Sequence, residues 1–147
     1  MGLIQSLRVS ASSLAAQRLR MDVVANNVAN MNTTRGADGG PYQRQSVMFA
    51  EAGREVPFRD VLGRARDQQA PGGVVVTGIH EDNAAPRRVH DPSHPDADAE
   101  GYVLLPNIDV VTEMTDLVGA SRAYEASVTV LNATKSLAMS ALGIGRG

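Results

Sequence analysis

All seven prolines of this 147-residue chain lie between Pro41 and Pro106, and glycine nearly obeys the same division. No glycine occurs from Leu3 to Arg35, and between Asn107 and Leu142 there is only Gly119. Proline removes a backbone N–H and glycine costs backbone entropy, so helix interiors avoid both. The chain therefore reads as helix, irregular or β middle, helix.

Both ends carry the matching periodicity. From Leu3 to Met31, the residues Ile4, Leu7, Ala11, Leu14, Met21, Ala25 and Val28 recur at steps of three and four, broken by Arg18 and widened by Leu3, Gln17 and Val24. The C-terminal segment repeats the pattern through Val110, Met114, Leu117, Ser121, Tyr124, Val128, Leu131, Lys135, Ala138 and Leu142, with Val111, Val118 and Met139 beside them. A 3.5-residue period puts such groups on one seam of a helix that coils against a partner. Asn30 to Thr34, followed by Gly36, supply the cap and turn residues that end the first helix. Asn107 or Asp109, just after Pro106, is the N-cap of the second; Glu113 and Asp116 place negative charge near its positive end, and Gly143 stops it. That second helix runs on the order of 50 Å.

The middle predicts three short strands, at 42–49, 73–79 and 101–105. Residues 50–70 are rich in Arg, Asp and Gln with little periodicity and read as a loop. A β unit of three short strands needs covering to be stable. The expected fold class is α+β: long N- and C-terminal helices packed as a coiled-coil-like pair, with a small β-rich middle. The divisions fall at 1–34, 35–106 and 107–147, the first and last forming one discontinuous domain.

Composition narrows the function classes. Three Tyr, two Phe and no Trp cannot build an aromatic-rich core. Fourteen basic against sixteen acidic residues give a net charge of -2, which excludes the basic footprint of a nucleic-acid binder and a polybasic membrane patch. No apolar run approaches the ~20 residues of a membrane span. With no cysteine there is no disulfide, thiolate metal site or Cys nucleophile. Met1 to Ser6 has neither a positive n-region nor an apolar h-region, so no cleaved signal is expected.

The densest polar cluster runs from His90 to Glu100. It has His and carboxylate ligands of the kind a divalent metal takes, but Pro92 and Pro95 describe a rigid turn in which Asp, Ser and His are ordinary residues. HExxH, EF-hand and G-x-S-x-G spacings are all absent. We therefore expect no enzyme, and no catalytic, metal or cofactor site. Two rival readings use the same residues differently: a small metal hydrolase built on His90, His94 and Asp96, and a self-contained coiled-coil adaptor with a β insert.

The sharper signal is the amide cluster Asn26, Asn27 and Asn30, interleaved with Ala25, Val28 and Ala29. It serves either as a helix C-cap or as a set of register-fixing hydrogen bonds across a helix contact. Both stripes are wider than one seam, and exposed stripes of that extent mark interaction surfaces. The core is expected to be completed by neighbouring copies or related chains; head-to-tail contacts that do not close make a filament.

Ala25-Asn26-Asn27-Val28-Ala29-Asn30-Met31-Asn32-Thr33 resembles the N-terminal signature of bacterial flagellar axial proteins. Asp91-Pro92-Ser93-His94-Pro95-Asp96-Ala97-Asp98, Gly101-Tyr102-Val103, Pro106-Asn107-Ile108-Asp109-Val110-Val111, Glu113-Met114 and Ala120-Ser121-Arg122-Ala123-Tyr124-Glu125-Ala126 are similar to the rod members of that family, as is Gly40-Pro41-Tyr42. The resemblance covers nearly the whole chain except about 50–70. It implies a structural component of the basal-body proximal rod in the periplasmic space, exported without signal cleavage and working through paired terminal helices as a torque-bearing part. Its implied partners are FlgB, FlgF, FliE and copies of itself, without nucleic acid or membrane insertion. The expected assembly residues are Val110, Met114, Leu117, Tyr124, Val128 and Leu131 for packing. Asn26, Asn27, Asn30, Asn107, Ser121 and Arg122 are expected to set register, with Val28 and Ala29 beside them.

Overall fold

The computed structural model describes residues 2–36, 39–52 and 72–145. Among the described residues, two long helices bracket four short strands: α1 (Leu3–Ala29), β1 (Gln45–Glu51), β2 (Val74–Glu81), β3 (Arg87–His90), β4 (Tyr102–Leu105) and α2 (Val110–Ile144). The α+β class and the helical ends are as expected. The strands form two separate two-stranded sheets, β1 with β2 and β3 with β4. The strand β3 was not anticipated, because Arg87-Arg88-Val89-His90 shows no apolar alternation. The reading of 50–70 as a loop lies outside the described residues from 53 onward.

The chain divides into two compact units, each drawing on both helices. The first comprises 1–19, 48–78 and 120–147; the second comprises 20–47 and 79–119. In the second unit, Val23, Val24, Val103, Pro106 and Ile108 are buried together with two polar residues, Asn27 and Glu113. Its helix segments run antiparallel: Arg20 meets Asp116 and Asn27 meets Glu113. In the first unit the buried residues are small, Ser10, Ala16 and Ala120, and the hydroxyls of Ser13 and Ser127 bond across the helices at 3.0 Å. Small side chains let the two backbones approach closely.

Helix ends follow the local chemistry. Asp109 is the N-cap of α2: its carboxylate accepts the Val111 N–H at 3.2 Å and the Thr112 hydroxyl at 2.7 Å, which hold its pKa below the usual carboxylate value. Asn30 closes α1 by donating its side-chain amide to the Asn26 carbonyl at 2.9 Å while its own oxygen accepts from Thr33. The β3–β4 register pairs Val89 with Val103 and His90 with Tyr102. That register turns Val103 into the core and leaves Tyr102 outside, where it meets Arg88 and His90. Gly101, at φ +80°, makes the turn into β4 with His90 and Pro92 close by, a conformation that L side chains rarely adopt.

Candidate functional site

The second unit is organised by a hydrogen-bonded knot at the end of α1. Asn27 and Glu113 are both 0% exposed. The Asn27 amide donates to the Gln45 carbonyl at 2.8 Å and to Glu113 Oε2 at 3.0 Å. Its oxygen accepts the Gln45 N–H at 2.9 Å and the Tyr42 hydroxyl at 3.1 Å. One side chain thus satisfies both backbone groups of the first residue of β1 and ties α1 to α2. Glu113 is completed by Arg44, whose Nε donates to Oε1 at 2.6 Å. Arg44 also reaches Asp116 at 3.6 Å, and Arg20 reaches the same carboxylate at 3.3 Å. Burial, then the charges of Glu81 and Glu113, push the Tyr42 phenol up from its ordinary value, so it stays a donor.

The other sequence-derived positions spread out. Asn26 and Ala29 are exposed, Val28 and Asn30 are half-buried, and Asn26 and Asn30 serve the C-cap rather than a cross-helix contact. Val110, Leu117, Ser121, Tyr124, Val128 and Leu131 are half-buried along α2. Met114 and Arg122 face outward, and Asn107 lies exposed on the rim of a cleft that Tyr42 and Arg44 also line. Of the register candidates, only Asn27 joins the two helices.

Apolarity alone marks only part of the intramolecular seam. In the second unit the buried helix residues are Val23, Val24 and Asn27 on α1 and Glu113 on α2, with Arg20, Asp116 and Leu117 half-buried beside them. In the first unit the buried and half-buried residues include Ser10, Ser13, Ala16 and Gln17 against Ala120, Tyr124, Ser127 and Leu131. The two rows are divided: Leu7, Leu14, Met21 and Val28 on α1 and Val110, Leu117, Tyr124, Val128 and Leu131 on α2 are half-buried, whereas Ile4, Ala11 and Ala25 on α1 and Met114, Lys135 and Leu142 on α2 are exposed. Val111, Met114 and Val118 are 72, 58 and 52% exposed. Residues Tyr42, Arg44, Gln45, Glu113 and Asp116 belong to the knot but are not among the expected site residues. Glu113, which the sequence offers as a charge near the helix N-terminus, also stands within one helical turn of Val110 and Leu117, and that was the available signal.

The loop from His90 to Gly101 spends its polar groups on itself and on the neighbouring Thr34, Arg35 and Arg88. Asp91 accepts the Ser93 N–H and hydroxyl, His94 Nδ1 accepts the Asp96 N–H, and Asp98 accepts the N–H groups of Glu100 and Tyr102. Asp96 accepts the Thr34 hydroxyl at 2.7 Å and pairs with Arg35 at 2.6 Å. His90, His94 and Asp96 are therefore engaged in holding a turn, and among the described residues no group of three His, Asp or Glu converges on a cation position. The carboxyls of Asp91, Asp96 and Asp98 are held below the usual range, chiefly by the Ser93 hydroxyl, the Thr34 hydroxyl and the Tyr102 N–H respectively.

Because these folded values are depressed, the stabilisation is complete above the unfolded carboxyl value near pH ~4 and disappears as pH falls through the lower folded values. The Ser93 and Tyr102 amides should thus lose exchange protection only below pH ~4. Loss beginning near neutrality, or protection persisting through strong acid, contradicts this account. In Asp98→Asn the Tyr102 step should vanish while the Ser93 step remains.

The comparisons agree with this geometry. The family "Flagella basal body rod protein" matches residues 7–37, most of α1 and its exit, and "Flagellar basal body rod FlgEFG protein C-terminal" matches 99–144, β4 and α2. These matches define the class, a bacterial flagellar rod protein. Proteins called flagellar basal-body rod protein FlgC are similar over full length. That of Borreliella burgdorferi is 45% identical over all of both chains, that of Bacillus subtilis 48% over 96% of this chain and 97% of its own, and that of Salmonella typhimurium 39% over 99% and 100%. The chain belongs to the FlgC family of flagellar basal-body rod proteins and is a structural component of that rod.

Proposed function

We propose that the chain is a proximal-rod subunit whose terminal segments, 1–34 and 107–147, act as one assembly unit and carry torque along the shaft. Copies of the chain and the rod proteins FlgB, FlgF and FliE are its partners in the periplasmic space, reached by export without a cleaved signal. The expected contact residues are Asn26, Val28, Ala29, Asn30, Asn107, Met114, Ser121 and Arg122 together with the half-buried α2 row. Asn27 acts from inside, by fixing how α1 meets α2. The observation that carries this reading is the outward row Val111, Met114 and Val118, apolar side chains held in water by a helix whose inner face is already occupied. Burying each fully is worth about 1.5–3 kcal/mol, so a partner surface gains substantially by covering them. Packed helices with interdigitated side chains transmit strain, as a drive shaft requires.

Met114→Asp tests this in cells lacking the wild-type gene. The substitution touches an exposed side chain, so stability should change by no more than about 0.5 kcal/mol. Swimming should nevertheless be abolished, with rods missing by electron microscopy. Normal motility with Met114→Asp and Val111→Asp combined sinks the proposal.

A further inference from the structure

The first half of α1 has little of its own to keep it helical. Its first turn carries no acidic residue to complement the positive helix end. Ser10, Ser12 and Ser13 follow in close succession, and their hydroxyls compete for backbone groups. The side chains it buries are Ser10 and Ala16, both small, while Leu7 and Leu14 are half-buried. Tertiary contacts therefore decide whether residues 3–19 stay ordered.

The first unit supplies such a contact on a second side of the helix, and glycine makes it. Gln5, Val9 and Ser12 lie at i, i+4 and i+7 on one stripe of α1. The backbone of Gly72 and Gly73 runs against that stripe just before β2. A Cβ on Gly72 would stand 3.1 Å from Val9 Cγ2, and one on Gly73 only 2.6 Å from Ser12 Oγ. Gly73 also holds φ +112°, a backbone conformation that L side chains rarely adopt. Ser12 fastens the approach: its hydroxyl donates to the Val9 carbonyl at 2.8 Å and accepts the Val74 N–H at 3.1 Å. The Gly73 carbonyl in turn accepts the Ala52 N–H at 3.1 Å, which ties in the end of β1. Every one of these groups belongs to the first unit.

We infer that residues 72–74 form a latch on α1. Seated, it holds 3–19 helical; released, it frees that segment while the second unit stays folded. Few groups make the contact, and Gly72 and Val74 are exposed, the mark of a segment that opens locally. The inference deepens the proposed function by adding a piece of the middle region to the terminal assembly unit. It rests on that reading only for the latch's use in the rod.

Hydrogen exchange on the purified full-length chain tests it without reference to motility. In Gly73→Val the amides of Val74, Ser13 and Ala16 should exchange about tenfold faster or more, with the Gln45 amide of the second unit unchanged. If circular dichroism shows that variant unfolded, Gly73→Ala replaces it. Ser12→Ala removes the hydroxyl and puts a better helix former in its place. Val74 should exchange faster there, and Ser13 and Ala16 should gain nothing from the alanine. Ser12→Cys with Gly73→Cys gives the converse in a chain that has no cysteine of its own. The two Cβ positions are 3.4 Å apart, close to the span of about 3.5–4.5 Å that a disulfide bridges. Reduced, this variant should match Gly73→Val; oxidised, it should return Ser13 and Ala16 to wild-type exchange. Helix amides unmoved by Gly73→Val, slowed by Ser12→Ala or indifferent to oxidation overturn the latch. Equal acceleration at Gln45 does so as well, because it reports global unfolding. The swimming of Met114→Asp is decided separately, so either reading can fail while the other stands.

Discussion

Arg44→Met lowers the free energy of unfolding by about 3–5 kcal/mol. Glu113 is completely buried, and its two carboxylate oxygens are shared between Arg44 at 2.6 Å and Asn27 at 3.0 Å. Removing the guanidinium leaves a buried negative charge with a single neutral donor, and stranding one member of a buried pair costs far more than the pair's net worth. Neighbouring cations do not repair the loss: Arg20 is committed to Asp116. Urea unfolding should therefore show a lower midpoint at unchanged slope. Adding Glu113→Gln should recover a large part of the deficit, because the amide removes the charge and keeps an acceptor for the Asn27 amide. Arg20→Met is the control. Its pair with Asp116 is more than a third exposed on both sides, so it should cost at most about 1 kcal/mol. Equal effects for Arg44→Met and Arg20→Met would mean that burial of Glu113 has no energetic consequence.

The contrast between those two arginines shows where sequence reading succeeds. Helix placement depends on local chemistry: the absence of proline and glycine, an Asp N-cap at 109, an amide cap at Asn30. These act over a few residues, so α1 and α2 were legible almost to their ends. The strands at 45–51, 74–81 and 102–105 were legible through their β-branched and aromatic content, whereas β3 was hidden because its only inward side chain of note is Val89. The polar part of the intramolecular seam was not legible, for a physical reason. Periodicity detects apolar groups, and in this chain the inner positions mix Ala16, Val23, Val24 and Ala120 with the polar Ser10, Ser13, Asn27, Glu113 and Ser127, while Ile4, Met114 and Leu142 point outward. The rest of the knot was beyond pattern: Asn27 stands out as a register candidate, but its partners Arg44 and Glu113 are far from it in the chain, and nothing local marks Arg44 until the fold brings the three together.

The amide at the centre of that knot has the second large expected effect. Asn27→Leu preserves volume but deletes two donors and two acceptors. The Gln45 N–H and carbonyl lose their partners at the first position of β1, the Tyr42 hydroxyl loses its acceptor, and Glu113 keeps only Arg44. Gln45 and Tyr42 are half-buried, so water recovers part of the loss for them, but none for the wholly buried Glu113 oxygen. Each stranded buried group costs about 1–3 kcal/mol, and partial rehydration brings the expected total to about 3 kcal/mol. The damage is also local. Hydrogen exchange should show the Gln45 amide unprotected in Asn27→Leu under conditions where the amides of α2 remain closed. Asn27→Asp separates the contributions: it keeps the acceptors for Tyr42 and Gln45 but sets a second carboxylate against Glu113. It should retain protection at Gln45 and still lose stability, more at neutral pH than in acid, where the added carboxylate is neutralised. A variant Asn27→Leu within about 1 kcal/mol of wild type, with Gln45 still protected, would show that the register of the helices is set by packing instead of by this amide.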